Sequence, residues 1–237
     1  MIKKNLYLSP NYSNKKRANK NIKFIVIHYT GMQSEIESIK RLKNLKSKVS
    51  FHYLINRKGI IMRMVDEKYE AWHAGKSRWK KFKNLNGSSI GIELVNKGHN
   101  FGYQNFTNIQ IMSLISLCKK LKKKYNIRNT NFLGHSDIAP HRKNDPGEKF
   151  PWKKLSKFDL GTWYKEKNLK INFRNKKKNK FNFFKNLYKI GYRYFHLHKR
   201  AKKDKLVIKA FQQRYRSSKV DGEIDKKTLK ISHFLAS

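Results

Sequence analysis

Two histidines, an aspartate, a glutamate and a lysine carry the chemistry this sequence can offer. The stretch GHSDIAPHRKNDPGEKFPW, residues 134–152, places His135 and Asp145 in one loop punctuated by Gly and Pro, with Lys143 just before the Asp. A further imidazole, His28, stands near the end of the apolar run IKFIVIHYT, residues 22–30. Two imidazoles and one carboxylate match a catalytic Zn2+ site, in which three protein ligands leave the fourth position to water. Glu93 is an odd carboxylate in the apolar run SSIGIELVN. If it faces the metal edge, it has the chemistry of a general base that takes a proton from that water. Lys143 then holds a fixed positive charge where an oxyanion develops. Each residue has a plainer alternative: a strand-end His in a core, a Glu on the outward face of a strand, one more surface lysine.

These residues converge only if the chain supplies the right elements. IKFIVIHYT is too apolar to be half-exposed and reads as a central strand that delivers His28 at its C-terminal end. SEIESIKRLKNLK carries a Ser34/Glu37 capping box and an apolar stripe of Ile36, Ile39, Leu42 and Leu45, which predicts a helix. Residues 50–65, SFHYLINRKGIIMRMV, are two strand-like runs joined at Arg57-Lys58-Gly59, a hairpin signal. SSIGIELVN is another strand, TNIQIMSLISLCKKLKKKY (107–125) a long amphipathic helix, and NFLGHSDI a short strand that breaks at Gly134. The predicted class is α/β: a mixed central sheet flanked by helices, followed by a small three-helix unit.

Composition narrows the partners. The 237 residues hold 57 Lys and Arg against 15 Asp and Glu, a net charge of +42 that attracts any polyanion: nucleic acid, an anionic membrane face or an acidic wall polymer. Lysine is abundant everywhere, solvated helix faces included, and no RNP-type motif, zinc-finger spacing or base-reading helix stands out, so nucleic-acid binding rests on charge alone. The lone Cys118 excludes an internal disulfide framework and a Cys-rich zinc site. The N-terminal stretch lacks the apolar core of a secretory signal and no run reaches transmembrane length. The expectation is a soluble, cytoplasmic monomer.

After Trp163 the pattern changes. The expected organisation is a catalytic domain over 1–164, a basic linker over 165–180 and a helical domain over 181–237, whose helices are FFKNLYKIGYRY, DKLVIKAFQQRY and a third after the turn VDGEID.

Three blocks, IVIHYT, SIGIEL and GHSDIAPHRKNDPGEKFPW, resemble the signatures of the zinc-dependent type 2 N-acetylmuramoyl-L-alanine amidases, whose fold is shared with peptidoglycan recognition proteins and phage amidases. SFHYLINRKGIIMRMV and AWHAGKS resemble the intervening segments, and the likeness covers about residues 7–163. It implies that His28, His135 and Asp145 ligate Zn2+, that Glu93 is the catalytic acid/base and Lys143 the lysine that stabilises the transition state. It further implies that His52, Trp72 and His73 line or support the cleft. The reaction implied is hydrolysis of the amide between N-acetylmuramic acid, or its anhydro form, and the L-alanine of the stem peptide, in cell-wall turnover or recycling. Peptidoglycan or muropeptides are then the partners, and the cell envelope or periplasm becomes an alternative address. KAFQQRYRSSKVDGEIDKKTL is similar to the AFQ…DG…T signature of small peptidoglycan-binding domains, with Asp225 where many relatives have Gly. A metal-free binding module on the same fold, a phage-type lytic enzyme and a basic nucleic-acid-associated protein are the rival readings; all candidate ligands and both catalytic positions standing together argue against the first.

Overall fold

Every residue from Phe24 to Ile27 is buried, because both faces of this strand are covered. The computed structural model describes residues 9–165 and 173–237. Its strands are β1 (Tyr12–Ser13), β2 (Phe24–Tyr29), β3 (Tyr53–Ile55), β4 (Ile61–Arg63), β5 (Glu70–Ala71), β6 (Arg78–Trp79), β7 (Phe82–Lys83), β8 (Ser89–Leu94) and β9 (Phe132–Gly134). The main sheet runs β4-β3-β8-β2-β9; its last four strands are mutually parallel, and β4 returns antiparallel to β3 through the hairpin at Gly59. β1–β5 and β6–β7 form two small antiparallel pairs. The helices are α1 (Glu35–Lys43), α2 (Asn108–Tyr125), α3 (His135–Ile138), α4 (Trp152–Ser156), α5 (Lys176–Ile190), α6 (Asp204–Tyr215) and α7 (Lys226–Ala236). None of the described helices is long and apolar enough to cross a membrane.

Successive side chains of a strand point to opposite faces, and β2 uses this to join two cores. Ile25 and Ile27 belong to an apolar cluster with Ile111, Leu114, Ile115, Cys118 and Leu121 of α2. Phe24 and Val26 belong to a second cluster with Phe183, Phe184 and Leu187 of α5 and Val207 and Phe211 of α6. His28 continues this second row, so the C-terminal helices cover the same face of the sheet that carries the histidine at its upper end. The α1 helix starts as its sequence predicts, with both halves of the Ser34/Glu37 capping box formed. Its apolar stripe is narrower than expected: Leu42 is buried, whereas Ile36 is 66% exposed and Leu45, beyond the helix end, 63%.

The C-terminal region departs from a tethered module in two ways. The stretch expected to be linker up to residue 180 is helical from Lys176, capped by the Asn175 side chain, which accepts the Lys178 N–H at 2.9 Å. Asn179, Phe183, Phe184, Asn186 and Leu187 form its buried face, and the lysines that suggested a linker are its solvated face. Residues 166–172 lie outside those described. The three helices also share a core with the sheet and are joined to it by buried charge. Arg214 on α6 is 4% exposed and donates from Nη1 to Asp137 of α3 (1% exposed) and from Nη2 to the Phe132 carbonyl at 2.9 Å. Asp137 also accepts the Tyr192 hydroxyl and, at 2.8 Å, the Gly134 N–H. The AFQ…DG pattern has a local cause. Gln212 accepts the Gly222 N–H at 2.8 Å and donates to Asp221 and to the Glu223 carbonyl, both at 2.9 Å, while Asp225 caps α7 by accepting the Thr228 N–H at 2.9 Å.

Arg214→Met leaves the buried Asp137 charge without its cation and is expected to cost about 3–5 kcal/mol of stability, partly recovered when Asp137→Asn is added. Urea unfolding of the whole chain measures this, and a loss below about 1 kcal/mol contradicts the buried pair.

Candidate active site

Strand register assembles the site. His28 pairs with Glu93 across β2 and β8, and Ile27 with Gly134 across β2 and β9, so His135, the next residue after β9, stands beside His28. His135, His28 and Glu93 thus form a row at the C-terminal ends of parallel strands, where an α/β sheet presents its ligand-binding edge. The 139–145 loop folds back over this row: the Ser136 N–H donates to the Asp145 carbonyl at 2.8 Å and the Lys143 N–H to the Ala139 carbonyl at 3.1 Å. Gly134 is required for that return, because a Cβ there would lie 2.8 Å from Cδ of Pro146.

The consequence is a tight triangle. His28 Nδ1 and His135 Nδ1 are 3.0 Å apart, and Asp145 Oδ2 lies 2.9 Å from the first and 3.0 Å from the second. All three side chains are buried. Burial, more than the neighbouring His135, lowers His28 to a pKa of about 4, which keeps it in the neutral form that ligates a cation. Asp145 is buried as well, but the two imidazoles hold its carboxyl far below the usual carboxylate range. Two imidazole nitrogens and one carboxylate oxygen that close together fit the donor set of a small divalent cation, since bonds of about 2.0–2.2 Å place ligand atoms about 3.3 Å apart.

The outer ring nitrogens are committed elsewhere, which fixes the tautomers. His28 Nε2–H donates to His73 Nδ1 at 3.0 Å, His73 Nε2–H to Ser89 Oγ at 3.1 Å, and the Ser89 hydroxyl to the Leu85 carbonyl at 2.6 Å. His135 Nε2–H donates to the Ala74 carbonyl at 3.3 Å. With every outer N–H donating outward, both Nδ1 lone pairs face the triangle. Gly91 makes room for this chain: a Cβ on it would lie 2.4 Å from Cγ of His73.

Glu93 stands beside the triangle, 3% exposed, with Oε2 unpartnered. Burial, then the Asp145 charge, raises its pKa well above that of an ordinary glutamate, against the opposing pull of Lys143 and Arg41. A buried carboxyl with an empty lone pair in a cleft is placed to exchange a proton with something that enters. The cleft, about 300 Å³, is lined by His28, His135, Asp145, Glu93, Lys143 and His73 together with a rim that includes Tyr29, Arg41 and His99.

The five residues singled out for chemistry are therefore brought together. Of the three expected at the cleft, His73 lines it and orients His28. His52 is fully buried and does not line it: its Nδ1 accepts the Gly91 N–H at 3.0 Å, bracing the strand behind His73. Trp72 does not line it either; its backbone pairs with Ser50 instead. The sequence reading missed Arg142, whose guanidinium donates to the Ala74 and Lys76 carbonyls and so ties the Lys143 loop to the segment between β5 and β6, whose Ala74 carbonyl also accepts from His135. It also missed the rim, where Tyr29 and Glu148 flank His99 at 2.8 and 3.0 Å. The place of Arg142 inside the HRKND block, next to Lys143, was the available signal.

The family model for N-acetylmuramoyl-L-alanine amidase matches residues 18–148, which hold His28, Glu93, His135, Lys143 and Asp145. This chain belongs to the N-acetylmuramoyl-L-alanine amidase family. AmiD of Escherichia coli is 35% identical over 230 residues, spanning 90% of this amidase and 82% of the relative. The AmpD 1,6-anhydro-N-acetylmuramyl-L-alanine amidase of Haemophilus influenzae is 40% identical over 108 residues, 45% of this chain and 56% of its own. Among solved structures, E. coli AmiD in complex with the substrate anhydro-N-acetylmuramic acid-L-Ala-D-γ-Glu-L-Lys aligns with a TM-score of 0.77 at 31% identity, over 94% of this chain and 91% of that one. AmpDh3 of Pseudomonas aeruginosa in complex with anhydromuramic pentapeptide aligns at 0.78 and 29%, over 95% of each. These overlaps extend the likeness through the C-terminal helices of this amidase.

His73→Ala removes the acceptor that aligns His28, and is expected to weaken divalent-metal binding about 10- to 100-fold. A competition titration with a chromophoric chelator reads the change; unaltered affinity contradicts the tautomer chain.

Proposed function

We propose that this amidase hydrolyses the amide between the lactyl carbonyl of anhydro-N-acetylmuramic acid and the L-alanine of the stem peptide, as a step in cell-wall recycling, with His28, His135 and Asp145 holding one Zn2+. The ion, when bound, acts as a Lewis acid on the carbonyl and makes water acidic enough to attack at neutral pH. Glu93 receives the proton of the attacking water as oxygen bonds to the carbonyl carbon. Lys143, whose charge is felt at both His28 and Glu93, faces the oxygen on which negative charge accumulates. Glu93 then returns its proton to the alanine nitrogen as the C–N bond breaks, leaving a lactyl carboxylate and a free amino terminus. Because Glu93 must give as well as take, a carboxyl raised by burial suits the task better than an ordinary one.

The observation that carries this reading is the unpartnered, buried Glu93 carboxyl beside a triangle of donors at 2.9–3.0 Å. A binding module without catalysis has no use for such a group, which costs folding energy wherever it is buried unpaired. Related names and substrates support the reaction: AmiD and AmpD are named for this activity, and AmpDh3 was crystallised with an anhydromuramic peptide.

Glu93→Gln conserves shape but cannot accept the proton, and is expected to retain metal while losing about 10²- to 10⁴-fold in kcat on an anhydromuramyl peptide. Mass spectrometry of the released peptide follows turnover; a loss under about threefold assigns the proton transfer to another group.

A further inference from the structure

A cavity of about 490 Å³ lies where helices α5 and α6 begin, and it shares no lining residue with the catalytic cleft. Lys176, Asn179 and Lys180 from the first turns of α5 face Lys202 and Lys205 at the start of α6, and the turn at Gly222 closes one side. The charges of the lining do not balance. Its two acids are engaged: Asp204 accepts the Ala201 N–H at 3.1 Å and lies 3.4 Å from Arg200, and Glu223 lies 3.4 Å from Lys205. Among the described residues no ion pair engages Lys176, Lys180 or Lys202. Asn179 is 5% exposed, and its Nδ2 has no hydrogen-bond partner. A buried amide donor left open in the wall of a cavity rimmed by free ammonium groups calls for an acceptor from outside the chain.

We propose that this cavity binds a small phosphorylated molecule, whose phosphate accepts from Asn179 and faces Lys176, Lys180 and Lys202. The first turns of two helices carry positive partial charge, which favours an anion on both walls. Every cation in the lining is a lysine. Arginine's planar fork suits the planar carboxylate, whereas the lysine ammonium is a point charge that serves the tetrahedral oxygens of phosphate. Three unpaired ammonium groups match an anion of more than one charge, which a phosphomonoester or a pyrophosphate is near neutral pH and a single carboxylate is not. The volume is that of a small-molecule site, and Phe173, Ile208 and Ile224 supply apolar surface for the rest of the ligand. The site makes no use of the catalytic residues and stands whether or not the amidase reading does.

Isothermal titration of the whole chain with pyrophosphate, at about 0.5 M salt where long-range attraction is screened, tests the assignment. Wild type is expected to bind one equivalent. Asn179→Leu removes the donor without changing the charge, and Lys202→Glu changes the exposed rim; each is expected to bind about 10- to 100-fold more weakly. Lys120→Glu, the same charge change on the exposed side of α2, is expected to bind as wild type does, and citrate, a carboxylate anion of comparable charge, not to compete. Titration of the wild type without saturation, undiminished affinity in either variant that folds, or equal weakening in Lys120→Glu overturns the site. Competition by citrate overturns the choice of phosphate. Loss of pelleting with phosphatidylglycerol vesicles in Asn179→Leu assigns the cavity to a lipid headgroup and overturns the small molecule.

Discussion

Two imidazole nitrogens and a carboxylate oxygen within about 3 Å of one another, all three side chains buried at the floor of the cleft, are the constraint on which the rest of this structure depends. Such a triangle does not close on its own, since each donor group loses solvation and the lone pairs repel. It persists because the backbone imposes it. Parallel register puts His28 beside Glu93 and carries His135 alongside, and the Gly134 position leaves space for the loop that returns Asp145. Orientation is then enforced from behind, by His73, Ser89 and Leu85 for one imidazole and by Ala74 for the other. Two glycines, Gly91 and Gly134, are small because the site needs their missing Cβ atoms, which accounts for their places in otherwise bulky strands.

The C-terminal helices belong to the same physical unit. They cover the lower part of the sheet face whose upper part bears the ligands, and they do so with a continuous apolar cluster. Asp137 is the hinge of this arrangement: it caps the short helix that starts at His135, and it takes Arg214 and Tyr192 from the other side. Helices and catalytic edge are therefore joined through one hydrogen-bonded carboxylate.

Much of this could be read from the residues. The apolar run around Ile25 predicted a fully covered strand, Ser34 and Glu37 predicted a helix start, and Gly59 predicted the hairpin; each depends on local pattern alone. Glu93 stood out as a carboxylate in an apolar run, while His28, His135, Asp145 and Lys143 were marked by the blocks they occupy, and the cleft gathers all five. What escaped was whatever required knowing a partner distant in sequence. Arg214 is one cation among 57, and nothing in its neighbours says that it is buried. The start of α5 was hidden by lysines that form a solvated face, since a dense run of charge looks the same in a linker and on a helix surface. His52 and His73 are indistinguishable as types, yet one braces a strand and the other orients a ligand, a difference made by what each ring meets, the Gly91 N–H for His52 and the His28 ring for His73.

The most direct test of the account is the metal stoichiometry of the purified chain and of Asp145→Ala, measured by elemental analysis after equilibration with Zn2+ and exhaustive dialysis. One equivalent of zinc in the wild type and none in the variant is the predicted result. A wild-type chain that holds no zinc, or a variant that keeps a full equivalent, contradicts the assignment of the triangle as the metal site.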